Sequence, residues 1–249
     1  MCVDDPTLFK GLPSVVVLGF ICKMCGRYVL KEPLDLLQRF FAYSSSEIRQ
    51  LRPRYNIAPT TKIPVVRCAA DGSRELVEMR WGLIPAWAKD PSTLPPMINA
   101  RSESVATKPS FRGAFKSRRC LIPASGYYEW SRTAGGTGPK QPFYFHARNG
   151  EPLALAGLWE VWLPPEGDPI VSAAIVTCAA NAEFAPIHDR MPVVLNEATA
   201  RSEWLQPGPL TDGPAAMLLR SVPPGILEAH PISTRVNSVR NDDPSLVET

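Results

Sequence analysis

A chain of 249 residues, 45% hydrophobic and 20% charged, can bury one large core or two small ones and has the composition of a soluble globular protein. Its net charge of +3 permits a local cationic groove but does not by itself predict nucleic acid. Cys2, Cys22, Cys25, Cys68, Cys120 and Cys178 are too sparse for the disulfide framework of a small secreted domain, so a reduced cytosolic or nuclear setting is expected.

Residues 1–23 come first in chain order. Val15 to Cys22 is apolar but far short of the roughly 20 residues that span a bilayer. Asp4 and Asp5 stand where a signal peptide carries basic residues, and no small-x-small cleavage site follows. The segment is therefore expected to be an extension, spurious or removable, with no membrane partner. Cys22 and Cys25 form a C-x-x-C without a second pair or a nearby histidine, so no zinc site is expected.

Met24-Cys25-Gly26-Arg27-Tyr28 follows. A Met-Cys pair at a translation start loses its methionine and leaves cysteine with a free α-amine beside its thiol. Such a 1,2-aminothiol condenses with an aldehyde: the amine forms an imine, and the thiol closes it into a thiazolidine. An upstream peptide on Cys25 converts the amine into an inert amide. Three origins of residues 1–23 stay open: a misassigned start, a leader cut between Met24 and Cys25, or a retained extension.

Pro33 to Tyr43 has helical spacing, with Pro33 suited to the first turn. Arg52 to Pro59 is proline-rich and reads as an ordered loop. Strand-like runs are Ile63–Arg67, Glu75–Leu83, Arg119–Pro123, Tyr127–Trp130, Phe143–Ala147, Leu153–Val161 and Ile170–Thr177, with a hairpin turn at Asp71-Gly72. Ser131 to Pro142 reads as a flexible turn. Helical patterns return near Glu197–Leu205 and Pro214–Ser221. No repeat and no linker divides the chain, so a single β-rich α+β domain over 24–240 is expected, with 241–249 as a frayed tail.

Four clusters carry candidate chemistry. Asn99 and Arg101 alternate with apolar neighbours and would face one side together, suited to an oxyanion or phosphate. Glu129 lies among aromatics, where desolvation raises a carboxyl towards general acid–base range; pairing with an arginine is the competing reading. His188 is flanked by charges and suits a site-forming loop, whereas His146 lies inside a strand-like run. Trp81 and Trp87, with nearby arginines, could stack on unpaired bases or could equally be core.

Taken in order, MCGRY (24–28), RYNIAPT (54–60), RWGLIPAWAK (80–89), INARSES (98–104), RCLIPASGYYEW (119–130) and IHDRMPVVL (187–195) resemble the SOS-response-associated peptidase (SRAP) family of abasic-site shielding proteins. The resemblance implies a β-rich α+β domain with a β-barrel-like core, flanking helices and a positively charged groove. It implies Cys25, Asn99, Glu129 and His188 as the catalytic set. The implied activity is a lyase-like thiazolidine crosslink with the aldehyde of an abasic site in single-stranded DNA, together with a thiol peptidase activity that removes residues before the cysteine. Arg27, Arg101 and Arg190 become phosphate-ligand candidates, Asn56 a pocket-shaping residue, and Trp81 and Trp87 base-stacking candidates. Neither a metal nor an organic cofactor is implied, and a monomer is expected, cytoplasmic and nucleoid-associated in a bacterium or nuclear in a eukaryote. Two alternatives are a cysteine-dependent peptidase acting on its own leader or other proteins, and a non-catalytic single-strand binder.

Overall fold

The structure, a computed structural model, describes residues 25–131 and 140–249. The expected extension, Cys22 of the C-x-x-C and most of the turn expected over 131–142 lie outside the described residues.

In chain order the elements are β1 (Arg27–Leu30), α1 (Leu34–Phe41), β2 (Ser45–Ser46), β3 (Arg54–Ile57), β4 (Lys62–Cys68), β5 (Arg74–Trp81) and β6 (Asn99–Arg101). There follow α2 (Arg112–Ser117), β7 (Arg119–Ala124), β8 (Gly126–Trp130), β9 (Pro142–Ala147), β10 (Leu153–Trp162), β11 (Ile170–Ala179) and β12 (Arg190–Pro192). The last are α3 (Ala198–Leu205), α4 (Asp212–Leu218) and β13 (Leu227–Pro231).

One sheet runs β12-β11-β10-β7-β4-β5-β2. Its β5 returns to β11 in parallel, with Ser172 opposite Arg80 and Ala173 opposite Trp81, so β5, β4, β7, β10 and β11 close into a five-stranded barrel. Closure removes two edges that would otherwise expose unpaired backbone. The apolar run of β11 reads as a fully buried strand because it is flanked on both sides. At Gly157 an added Cβ would stand 2.8 Å from Cys120 Sγ and 3.0 Å from Ile122, so β10 and β7 approach closely there.

A second, antiparallel sheet runs β13-β9-β8-β1-β3 and carries the residues around Cys25. Helix α1 turns Leu37 and Phe41, four residues apart, into the core and ends where Ala42 takes a left-handed conformation (φ 53°). Among the described residues no helix is long and apolar enough to cross a membrane.

Two sequence expectations are corrected. Arg54–Ile57 is a strand, because β1 offers it a pairing partner and the prolines at 53 and 59 merely bracket it. Residues 241–249 are not frayed: a 3-10 turn at Pro244–Val247 buries Leu246 completely against Val29, Tyr128, Tyr144 and Val236. Asp242 anchors the segment by accepting the backbone N–H groups of Tyr55 and Asn56.

Candidate active site

Cys25 is buried immediately before β1, and β1 pairs with β8 so that Arg27 lies opposite Tyr128 and Tyr28 opposite Tyr127. Directly opposed residues project to the same face, and alternation places Tyr127 and Glu129 on that face together. Gly126 permits the arrangement. A Cβ there would stand 2.3 Å from the Phe145 carbonyl oxygen and 2.6 Å from the Tyr144 ring, so any side chain would push β9 away.

Glu129 is 3% exposed, and no arginine pairs with it among the described residues. Its carboxyl accepts the backbone N–H groups of Cys25 and Trp130. Oε1 has no hydrogen-bond partner, and Oε2 lies 4.0 Å from His188 Nε2. Burial pushes the carboxyl up to about 8; the two N–H groups and Lys140 pull it down, and Asp189 pushes it up. Near neutral pH the group is therefore largely protonated, an acid poised beside the Cys25 nitrogen.

His188 approaches from the loop before β12, its side chain 12% exposed. Nδ1 lies 3.1 Å from both the backbone nitrogen and the carbonyl oxygen of Arg190, which fixes the ring and turns Nε2 towards Glu129. Asp189 Oδ1 lies 3.5 Å from Nδ1. Asn99, on β6, is held against β11 opposite Ile175. Its Nδ2 donates to the Cys25 carbonyl at 3.1 Å, while its Oδ1 is buried without a partner. Cys25, Asn99, Glu129 and His188 thus converge from four separated parts of the chain.

The six residues considered for DNA divide. Arg101 is exposed beside Asn99 at the end of β6, and Trp87 is 57% exposed. Arg190 is bound to the Glu103 carboxylate through two nitrogens and donates to the Thr177 carbonyl at 2.7 Å. Trp81 is fully buried: Nε1 donates to the Ile98 carbonyl at 3.0 Å, and the ring meets Tyr28 edge-on at 5.3 Å. This corrects the base-stacking expectation for Trp81, which forms the floor beneath Tyr28 instead.

Arg27 and Asn56 are tied together. Arg27 donates to Asn56 Oδ1 and the Val236 carbonyl, each at 2.9 Å. Asn56 Nδ2 reaches the carbonyls of Val236 (3.1 Å), Ser238 (3.0 Å) and Asn241 (2.8 Å). Asn56 is 5% exposed, so it shapes the site from behind by clamping the C-terminal segment to β1 and β3.

Two residues absent from the sequence-based set stand out. Tyr28 and Tyr127 are wholly buried, and neither hydroxyl has a hydrogen-bond partner. The signal was available: Tyr127 lies two positions before Glu129 in a strand, on the same face. Cavity volume would have misled. A space of about 600 Å³ lies among Phe40, Arg148, Pro152 and Ile226, away from Cys25. Unsatisfied buried oxygens mark the site better than volume does: those of Tyr28, Asn99, Tyr127 and Glu129, whereas the other unsatisfied atoms are Nε of Arg118, Arg190 and Arg201. Among the described residues no cluster of three His, Cys, Asp or Glu could hold a metal ion.

A five-stranded barrel and an antiparallel sheet that between them bring together a cysteine, asparagine, glutamate and histidine define the class. Residues 24–239 match the family described as SOS response associated peptidase (SRAP), and the chain belongs to that family. The abasic site processing protein YoqW of Bacillus subtilis (strain 168) is 39% identical over 228 residues, spanning 91% of this chain and all of its own length. The abasic site processing protein HMCES of Gallus gallus is 35% identical over 261 residues, covering 89% of this chain and 76% of its own. A crystal structure from Bordetella bronchiseptica superposes with a TM-score of 0.67 at 27% identity, covering 84% of this chain and 100% of that one. One from Bacteroides thetaiotaomicron gives 0.79 over 90% of this chain and 99% of that one, at 24% identity, and shows the fold alone.

Proposed function

We propose that this protein processes abasic sites in DNA by crosslinking to them through Cys25, once Cys25 is the first residue of the chain. The observation that carries this reading is the Cys25 nitrogen held at a buried Glu129 carboxyl whose affinity for protons is raised to about 8. An α-amine has a pKa near 7.7–8.0 against about 10.4 for lysine, so it offers roughly several hundred times more free base near neutral pH. That amine attacks the sugar aldehyde. Protonated Glu129 gives its proton to the departing hydroxyl of the carbinolamine, and water leaves. The Cys25 thiol then adds to the imine carbon and closes the thiazolidine.

Asn99 orients Cys25 through its carbonyl and offers Oδ1 to the amine. His188 assists ring opening of the deoxyribose from the other side of Glu129. Arg101 faces the phosphates of a single strand, Arg27 adds a fixed positive charge, and exposed Trp87 stacks on a base, while Arg190 stays committed to Glu103 and Thr177. The relatives' names, abasic site processing proteins, support the substrate.

The test is intact-mass analysis of protein incubated with a single-stranded abasic oligonucleotide. A heat-stable adduct is expected from wild type and none from Cys25→Ala; a full-strength adduct from Cys25→Ala would overturn the reading.

A second reading draws on the same contact. With residues 1–24 attached, the Cys25 nitrogen is the leaving group of the Met24–Cys25 peptide bond, and protonated Glu129 is placed to protonate it. The thiol would attack the Met24 carbonyl, and water would release the leader. Glu129-dependent loss of residues 1–24 from the full chain tests it; a chain that retains Met1 through prolonged incubation counts against it.

A further inference from the structure

We propose that Tyr127, with Tyr28 beside it, is a further catalytic residue, whose hydroxyl donates a hydrogen bond to the Cys25 sulfur as that sulfur becomes a thiolate. The inference rests on the reading that Cys25 reacts through both its amine and its thiol.

Buried hydroxyls ordinarily find a partner. Two of them here, on residues paired across β1 and β8 at the strand that begins beside Cys25, have none. Both rings are locked. Tyr127 stacks on Phe145 with centroids 4.9 Å apart and planes 8° apart, and Tyr28 meets Trp81 edge-on. Phenylalanine would make the same ring contacts, so packing does not account for the oxygens. The remaining unsatisfied atoms nearby, Asn99 Oδ1 and Glu129 Oε1, belong to residues that touch Cys25. Two of the four unsatisfied atoms thus belong to residues that touch Cys25, and the other two to tyrosines paired at the start of the strand that follows it.

The electrostatics fit this geometry. Burial pushes both phenols up; Arg54 pulls Tyr28 back, and negative charge on Cys25 pushes both up further. Glu129 and Cys178 act on Tyr127 in the same direction. Both phenols stay protonated across physiological pH and remain donors. In a dry pocket an oriented O–H lowers the energy of a thiolate as water would in solution.

The step balances. Once Glu129 has surrendered its proton to the leaving hydroxyl, the thiol proton passes to the Glu129 carboxylate. A sulfur electron pair forms the C–S bond, and the C=N π pair returns to nitrogen. Tyr127 keeps its proton throughout; it lowers the energy of the sulfur anion and exchanges nothing.

The experiment uses residues 25–249, the portion containing every described element, with Cys25 confirmed as first residue by intact mass. Tyr127→Phe is compared with wild type in two measurements. The first is the pH dependence of Cys25 alkylation by iodoacetamide, resolved from the other thiols by peptide mapping. The second separates imine, trapped by cyanoborohydride, from the closed adduct on an abasic single strand. The alkylation midpoint should rise by about one pH unit and ring closure should slow about tenfold, with imine formation within about twofold of wild type. Tyr28→Phe should shift both in the same direction by about threefold. Identical alkylation profiles and closure rates in folded Tyr127→Phe would overturn the proposal. If that variant does not fold, Tyr28→Phe decides on the same criteria. Wild type that alkylates normally but forms no adduct would sink the abasic-site reading while the alkylation midpoint still decides on Tyr127.

Discussion

Tyr127 and Tyr128 are neighbours in one strand, both buried, yet they live in different worlds. Tyr128 faces the side covered by the C-terminal segment, where its hydroxyl donates to the Tyr55 carbonyl at 2.7 Å. On that side Trp130 Nε1 reaches Asn237 Oδ1 at 2.8 Å, and Asn56 commits its whole amide to four partners. Tyr127 faces Cys25, where the hydroxyls of Tyr28 and Tyr127 and one oxygen each of Glu129 and Asn99 go without. One face of the sheet is chemically closed, and the other is left open. An unsatisfied buried polar group costs about 1–3 kcal/mol, so the open face costs stability that the closed face helps offset.

The contrast can be broken at four places, in decreasing order of expected effect. Glu129→Gln removes the acid and should slow adduct formation by about 10²–10⁴-fold, read by gel-resolved kinetics. The same change should stabilise the fold. Because burial raises the folded carboxyl from 4.5 to about 8, the native state holds a proton that the unfolded chain has released. Wild-type stability therefore falls as pH rises from about 4.5 to about 8 and then levels, a loss on the order of a few kcal/mol. Urea midpoints of Glu129→Gln should lack that slope; a parallel decline in both proteins would show that Glu129 is not the titrating group.

Asn56→Ala strikes the closed face. It strands three carbonyls and part of Arg27, and should cost about 2–4 kcal/mol in chemical denaturation. Retained wild-type stability would show that the clamp contributes little.

Smaller, but more discriminating, is the tyrosine pair. Tyr128→Phe should lose about 1 kcal/mol, whereas Tyr127→Phe should lose none or gain slightly, since it deletes an unpaired hydroxyl. Equal losses would erase the distinction between the faces. Arg101→Ala should leave stability unchanged, weaken single-strand binding evenly across sequences and reduce the salt slope by about one. An unchanged slope in filter binding would remove Arg101 from the phosphate path.

Much of this was legible in the sequence. The strand over Leu153–Trp162 and the run over Ile170–Ala179 announce themselves through β-branched and apolar residues, and α1 through its spacing. Glu129 was legible only in part: the flanking aromatics suggest desolvation, but the local sequence left an arginine partner open, and the packed fold supplies none among the described residues. Arg54–Ile57 was not, since flanking prolines read as loop until β1 supplies a partner. Residues 241–249 read as a tail because Asp242 has no local reason for order; its partners are the amides of Tyr55 and Asn56, far away in sequence. Trp81 was ambiguous because composition cannot separate an exposed stacking ring from a core ring. The two orphaned hydroxyls are the plainest case. A missing hydrogen bond is a property of the packed neighbourhood, and no local pattern encodes it.

Arg27 and Val236 are separated by 209 residues, and their hydrogen bond imposes an order of events on synthesis. Cys25 leaves the ribosome well before the segment that fastens its strand. At about 5–20 residues per second, roughly 10–40 s pass before the clamp can form. For that interval the strand that follows Cys25 lacks the contact that fastens it to the C-terminal segment, although Asn99 and Glu129 are already made.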